Sequence, residues 1–143
     1  MKEQYNLNEL AMITSLTTRT LRNHLRQGTL TGEKVDGAWR FTAEDVEAFM
    51  AQAPVRRSIR ANHSAVVFDF LADTLKRQNR VCVILDYAAG IDEAAGIARF
   101  YCEQASRSTD IEMRCDQHRG VTRVILSGGE DQVIDILRNY YER

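Results

Sequence analysis

The stretch that decides the fold of the amino-terminal third is TTRTLRNHLRQ, residues 17–27. At about 100° per residue, a helix places Arg19, Arg22 and Arg26 within about 60° of one another and turns both leucines to the opposite side. One face of this helix therefore packs, and the other carries three cations. Because like charges so close together repel one another, this face indicates a polyanionic partner such as DNA. The alternative interpretation is a solvated helix surface.

The residues before this helix predict a helix-turn-helix. Asn6 or Asn8 is expected to cap a first short helix over residues 9–14. Residues 15–17 then form a turn into the second helix, whose end is marked by Gly28. The second helix of such a motif enters the major groove of DNA.

The residues after the second helix predict a small β-wing and a closing helix. Two short strands are expected over residues 30–34 and 39–41, with a turn at Asp36-Gly37. Thr42 begins a third helix with an acidic first turn. This helix is expected to close a small core together with Trp39.

Residues 7–51 resemble the winged helices of MerR-type and excisionase-type proteins. The resemblance rests on the order and spacing of five fragments: NELA at 8–11, TLR at 20–22, GTL at 28–30, GAWRF at 37–41 and EDVEAF at 44–49. Two positions depart from the family pattern. Ser15 stands where the turn often has glycine, and Asn23-His24 replaces a common Tyr-Tyr pair. The departures leave the preferred DNA sequence undefined.

The resemblance implies a role for each polar side chain. It places Thr17, Thr18, Arg19 and Asn23 towards the groove, Arg22 on the DNA backbone and Arg40 of the wing on a phosphate. The helical face adds a phosphate contact from a third arginine, so the candidate DNA-binding residues are Thr17, Thr18, Arg19, Arg22, Asn23, Arg26 and Arg40. His24, at the edge of the packed side, is interpreted as a structural histidine.

Residues 53–62 are interpreted as a basic linker between domains 1–52 and 63–143. The segment contains the only proline, Pro54, and has no sustained apolar period. Its cations supply candidate auxiliary DNA contacts through a basic arm, and a simply solvated linker is the alternative. The three residues concerned are Arg56, Arg57 and Arg60.

The remaining residues predict a small α-βαββα domain, so that the fold class is α+β with a three-stranded, mainly antiparallel sheet. Helices are expected over 63–77, 91–106 and 130–141, and strands over 80–87, 111–115 and 121–127. The crossover rule favours a split βαβ order, in which the third strand lies antiparallel between the first two. The strand over 80–87 is apolar on both faces, as in a central strand, yet this order leaves it with an unpaired edge. A symmetric partner would cover that edge.

Composition limits the classes of protein that fit. The 143 residues are 44% hydrophobic and carry a net charge of −1, which divides into +2 over residues 1–61 and −3 over 62–143. A DNA site must therefore depend on local placement of charge. Three cysteines without a CxxC pair favour a reducing, cytoplasmic compartment. The longest apolar run is far too short to cross a membrane.

Residue patterns typical of enzymes and metal sites are missing from the sequence. The fragment LSGGE at 126–130 resembles the signature loop of transporter ATPases, but no GxxxxGK[ST] accompanies it, so it is interpreted as a strand-to-helix turn. Cys82, Cys102 and Cys115 lie on apolar elements and are interpreted as structural. We therefore expect a non-enzyme with no cofactor or metal.

The leading hypothesis is a sequence-specific, DNA-binding transcriptional regulator that binds double-stranded DNA as a homodimer through residues 63–143. An unidentified small-molecule effector of the carboxy-terminal domain is a further candidate partner in this hypothesis. Two alternatives stay open: an excisionase-like architectural factor that assembles on tandem sites, and a winged helix that binds an acidic protein instead of DNA.

Overall fold

The structure is a computed structural model that describes residues 4–143. Two three-stranded sheets and six helices make up this part of the chain. In chain order they are β1 (Gln4–Tyr5), α1 (Leu7–Thr14), α2 (Thr18–Gln27), β2 (Glu33–Val35), β3 (Ala38–Thr42), α3 (Ala43–Ala51), α4 (Ala53–Ala72), β4 (Arg80–Tyr87), α5 (Ile91–Ser106), β5 (Glu112–His118), β6 (Val121–Gly129) and α6 (Glu130–Tyr141).

The predicted pair of short helices forms from its own local signals. The Asn6 side chain accepts from the backbone N–H of Glu9, whose carboxylate accepts in return from the Asn6 N–H, which makes a capping box. The first helix therefore begins two residues earlier than expected. Ser15 turns the chain in a left-handed conformation (φ 57°), Thr17 caps α2, and Gly28 ends it with φ 81°.

The wing is the antiparallel hairpin β2–β3, whose turn at Asp36-Gly37 has two positive φ angles. This is the backbone that a two-residue hairpin requires. One strand was missed by the sequence analysis: β1 pairs with the other side of β3, so that Tyr5 lies opposite Phe41. Two residues are too few to show a strand period. Thr42 caps α3 as predicted, through a capping box with Asp45.

The prediction of a linker over residues 53–62 is wrong. These residues form the first half of α4, a helix of 20 residues that ends at Ala72, not at residue 77. Pro54 stands in the first turn, where its missing N–H costs no hydrogen bond. Burial of Val55, Ile59 and Val66 holds the helix to the rest of the chain. Basic residues between these positions obscured the helical period in the sequence.

The second sheet has the order β4-β6-β5, and both of its strand pairs are antiparallel. The expected insertion of the third strand between the first two is confirmed. β5 continues to His118 and β6 to Gly129, further than predicted, and their hairpin turns at Arg119-Gly120 with φ 52° and 77°. The strand over 80–87 lies at an edge of the sheet, although its apolar pattern suits a central position.

A shared hydrophobic core joins the two predicted domains. The Tyr5 hydroxyl donates to the Ile91 carbonyl at 3.2 Å, and burial together with nearby Asp92 raises the pKa of Tyr5 to about 12. Arg99 of α5 donates to buried Glu9 of α1 at 3.0 Å. These bonds fix the helix-turn-helix against α5, and the division into separate domains stays a prediction.

Among the helices of residues 4–143, none is both long and apolar enough to span a membrane.

Candidate nucleic-acid interface

The exposed face of α2 carries the arginines that the helical period predicted. Arg19, Arg22 and Arg26 are all exposed, whereas Leu21 is completely buried and Leu25 is half-buried. Within residues 4–143, no carboxylate lies within ion-pair distance of these three arginines. The cations of this face are therefore uncompensated, as is typical of a surface that binds a polyanion.

Asn23 lies on the same exposed face and orients one of the arginines. Its side-chain oxygen accepts from Nη2 of Arg26 at 2.5 Å. An arginine held by a neutral amide keeps its full charge and remains able to contact phosphate. The pair therefore positions a cation without neutralising it.

Thr17 and Thr18 lie at the amino-terminal end of α2, with Thr17 as its cap. The Thr17 hydroxyl oxygen accepts from the Thr20 backbone N–H at 3.1 Å. Thr18 begins the helix and is half-buried. The amino-terminal end of a helix has a partial positive charge, so that it favours an anion near these residues.

The wing contributes two further cations, one of which the sequence analysis missed. Arg40 on β3 is half-buried, and its guanidinium donates to the Trp39 carbonyl at 3.4 Å. Lys34 on β2 is exposed, with its Nζ 5.6 Å from the centre of the Trp39 ring. Lys34 could have been found from the sequence, because it is the last residue of the strand predicted before the turn at Asp36-Gly37. A basic residue at a wing tip is well placed for a phosphate contact.

Trp39 packs against the small core as predicted and also joins the wing to α2. It is half-buried, stacks on Phe41 with ring centres 6.3 Å apart, and lines a shallow depression together with Arg22, Leu25 and Arg26. The arginine face and the wing therefore form one continuous surface. The third helix closes the core with Phe49, which the His24 ring contacts edge-on at 5.1 Å. The structural interpretation of His24 agrees with this contact.

The three arginines of residues 53–62 have different environments. Arg56 donates to both carboxylate oxygens of Asp116, at 2.8 and 2.6 Å, and its side chain is only 15% exposed. It is therefore unavailable as a DNA contact, contrary to expectation. Arg57 and Arg60 are exposed on α4 and have no ion pair within residues 4–143.

A cavity of about 600 Å³ lies between α4 and the sheet, away from α2. Phe68, Leu71 and Ile84 form part of an apolar wall, and polar and charged residues, His63 and Asp116 among them, also line the cavity. His63 is buried on α4, and its Nε2 has no hydrogen-bond partner in the described chain. Burial is the main reason why the pKa of His63 is lowered.

The cysteines lie apart from the basic surface. Cys115 is completely buried, and Cys82 and Cys102 are half-buried. Burial raises the pKa of each thiol, which disfavours the reactive thiolate form at neutral pH. In the described part of the chain, no three His, Cys, Asp or Glu residues are grouped closely enough to hold a metal ion.

Comparison with known families identifies the amino-terminal unit. Residues 5–54 match the family described as "Helix-turn-helix domain". No curated protein and no solved structure matches the chain. The matched residues include α1, α2, the wing and α3, so this third of the chain is a helix-turn-helix domain of the DNA-binding type.

Proposed function

We propose that this protein is a sequence-specific transcriptional regulator that binds double-stranded DNA as a homodimer. The observation that carries the proposal is the α2 surface beside the wing, where Arg19, Arg22 and Arg26 are exposed and pair with no carboxylate of residues 4–143. In the proposed complex α2 lies in the major groove and the wing lies on the backbone. The match to helix-turn-helix domains supports this arrangement. Assignment of the helix-turn-helix domain to the MerR type is part of the proposal.

Phosphate contacts supply most of the affinity in this mechanism. Arg22, Arg26 and Arg40 are assigned to the backbone, with Lys34 as an added wing contact. Each neutralised phosphate releases counterions, so that binding weakens steeply as salt increases. Arg57 and Arg60 on α4 are auxiliary contacts in the same proposal.

Base edges are read by the residues nearest the start of α2. Arg19 has the bidentate donor geometry that recognises guanine, and Asn23 has the amide that recognises adenine. Thr18 is small enough to contact either base. Replacement of Arg19 by Ala is expected to cost about 1–3 kcal/mol at one base pair and to relax the preference there.

The decisive experiment is capture of fragmented genomic DNA by the purified full chain at about 150 mM salt, followed by sequencing. The matched control is a variant with Arg22→Ala and Arg26→Ala. Enrichment of a few inverted repeats by the wild type alone is the expected result. No difference between the two proteins would overturn the proposal and favour an acidic protein as the partner of this face.

An excisionase-like architectural role is the second candidate. The family match covers only the helix-turn-helix part, which an architectural factor would share. Such a factor assembles side by side on DNA, so its enriched sites would be direct repeats. The symmetry of the sites therefore separates the two functions.

A further inference from the structure

The two edges of the β4-β6-β5 sheet are treated differently by the chain. The outer edge of β5 is covered by the helix-turn-helix, because the Cys115 backbone N–H donates to the Ser15 hydroxyl at 2.6 Å. The outer edge of β4 pairs with no other strand of residues 4–143. β4 has eight residues, and an open strand edge of this length is a ready template for pairing with another strand.

β4 has the composition of a central strand. Val81, Val83 and Leu85 face the core, and Cys82 and Ile84 occupy the opposite face between the charged ends of the strand. Exposed edge strands are normally protected by charged residues, proline or a bulge. In β4 the charged residues are confined to Arg80 and Asp86 near its ends, and the five residues between them are apolar. Its sequence therefore fits a strand with neighbours on both sides.

Exposed apolar side chains lie in all three layers of this unit. On the outer face of the sheet, Ile84 is 54% exposed and lines the same cavity as Phe68 of α4, which is 68% exposed. In the helical layer, α6 exposes Ile134 and Tyr141, and the Tyr141 hydroxyl bonds to the hydroxyl of Tyr87 on β4 at 3.1 Å. Exposed apolar side chains therefore lie on both faces of the sheet near β4, and exposed apolar groups of this kind are typical of a subunit interface.

We propose that β4 pairs with β4 of a second copy of this chain, across a two-fold axis through Val83, to form a continuous six-stranded sheet. The inference deepens the proposed homodimer and rests on it. In a continuous sheet, the outer faces of the two copies lie on the same side. A residue on the outer face of one β4 therefore lies opposite an outer-face residue of the other β4. When the axis passes through Val83, the residue numbers of each opposite pair add up to 166. Cys82 therefore lies opposite Ile84 of the second copy.

Charge selects this register and favours a second copy as the occupant. Arg80 and Asp86 stand on the same outer face, three residues on either side of Val83. Within its own chain Arg80 pairs with Asp110 at 3.0 Å, and Asp86 pairs with Arg123 at 2.7 Å. Pairing about Val83 brings each Arg80 opposite an Asp86, whereas a shift of the axis to Cys82 or Ile84 separates them. Opposite charges across antiparallel strands stabilise the pairing, and like charges oppose it. Pairing about Val83 therefore places Asp86 between Arg123 of its own chain and Arg80 of the second copy, which extends the intrachain ion pairs across the axis.

Disulfide cross-linking of the full chain tests the register directly. An Ile84→Cys variant places a new thiol opposite Cys82 of the second copy, within the Cα separation that a disulfide allows. Burial and Glu112 raise the pKa of Cys82, so oxidation with copper phenanthroline is carried out at a pH of about 8.5. The expected product is a covalent dimer that disappears in the Cys82→Ser/Ile84→Cys double variant.

The other outcomes contradict the proposal in recognisable ways. Cross-linking of the wild type through Cys82 alone would place the axis at Cys82. Cross-linking that persists in the double variant would place it at Ile84. A sedimenting dimer without any of these cross-links would place the interface elsewhere. A monomer at every concentration would remove the second copy altogether.

A charge at the edge provides an independent measurement. Ile84→Lys is expected to raise the dimer dissociation constant roughly tenfold or more in sedimentation experiments, because two lysines approach each other near the axis. Leu75→Lys is the matched control, since Leu75 is 86% exposed and lies outside β4. An equal effect of both variants would overturn the edge pairing. None of these measurements uses DNA, so failure of the dimer leaves the DNA-binding proposal intact, and the reverse also holds.

Discussion

The backbone N–H of Cys115 donates to the hydroxyl of Ser15 across 100 residues of sequence, at 2.6 Å. Ser15 is the left-handed residue of the helix-turn-helix turn, and Cys115 lies on the edge strand β5. The bond satisfies a donor that this edge would otherwise leave buried and unpaired. The serine that departs from the family pattern therefore attaches the DNA-binding turn to the second sheet.

Removal of this hydroxyl should destabilise the whole chain. Ser15→Ala is expected to lower the free energy of unfolding by about 1–2 kcal/mol, because the Cys115 N–H loses its partner. Ser15→Gly should lose the same bond but recover about 1 kcal/mol, since glycine adopts a positive φ without steric cost. Urea denaturation measures both changes. Ser58→Ala, at an exposed position of α4, is the control and should change little.

The phosphate assignments make a prediction about salt. Arg22→Ala and Arg40→Ala should each weaken binding to all DNA sequences alike and flatten the slope of log affinity against log salt by about 0.9. Arg107→Ala is the matched control, because Arg107 is exposed on the carboxy-terminal unit. Fluorescence anisotropy over a salt series gives the slopes. Unchanged slopes in both α2 and wing variants would contradict these contacts.

The arginines of α4 should separate into one structural residue and two DNA contacts. Arg56→Gln is expected to lower the free energy of unfolding by about 2–4 kcal/mol, because it leaves Asp116 buried without its partner. It should not change the salt slope. Arg57→Gln and Arg60→Gln should leave stability within about 0.5 kcal/mol and each flatten the slope by about 0.9. Denaturation and anisotropy on the same three variants test this.

Stability should fall as pH decreases below neutrality because of His63. Burial is the largest cause of its lowered pKa, nearby Arg114 and Arg56 act in the same direction, and Asp116 opposes them. The unfolded chain therefore takes up a proton near the ordinary pKa of 6.5 while the folded chain resists it. The free energy of unfolding decreases from about pH 6.5 downward until the lowered pKa is reached.

His63→Gln should reduce this decrease. Glutamine keeps hydrogen-bonding capacity at the site and has no titrating group. The slope that remains reports chiefly His118, whose pKa is lowered in the same direction by burial and by Arg56 and Arg119. Urea denaturation between pH 5 and 7 measures the comparison. Equal slopes in the wild type and the variant would assign the pH dependence to other groups.

Local signals explain which parts of the fold were predictable. The capping box at Thr42, the glycine after α2 and the hairpin turn at Asp36 each depend on neighbouring residues only, and each was confirmed. The prediction failed for the first half of α4, where arginines separate the apolar positions and one of them, Arg56, has a partner that is remote in sequence. Arg56 has a structural role because it pairs with Asp116, which is 60 positions away in the sequence.

The sequence by itself determined the helix-turn-helix, the arginine face of α2, and the strand order of the second sheet with its open edge at β4. Periodicity, capping and chain crossover depend on local chemistry and on general rules of connection, which the residues carry with them. Only the tertiary structure decided that Ser15 and Arg56 hold the units together and that Trp39 joins the wing to α2. These relationships depend on pairs distant in sequence, whose meeting no local pattern specifies.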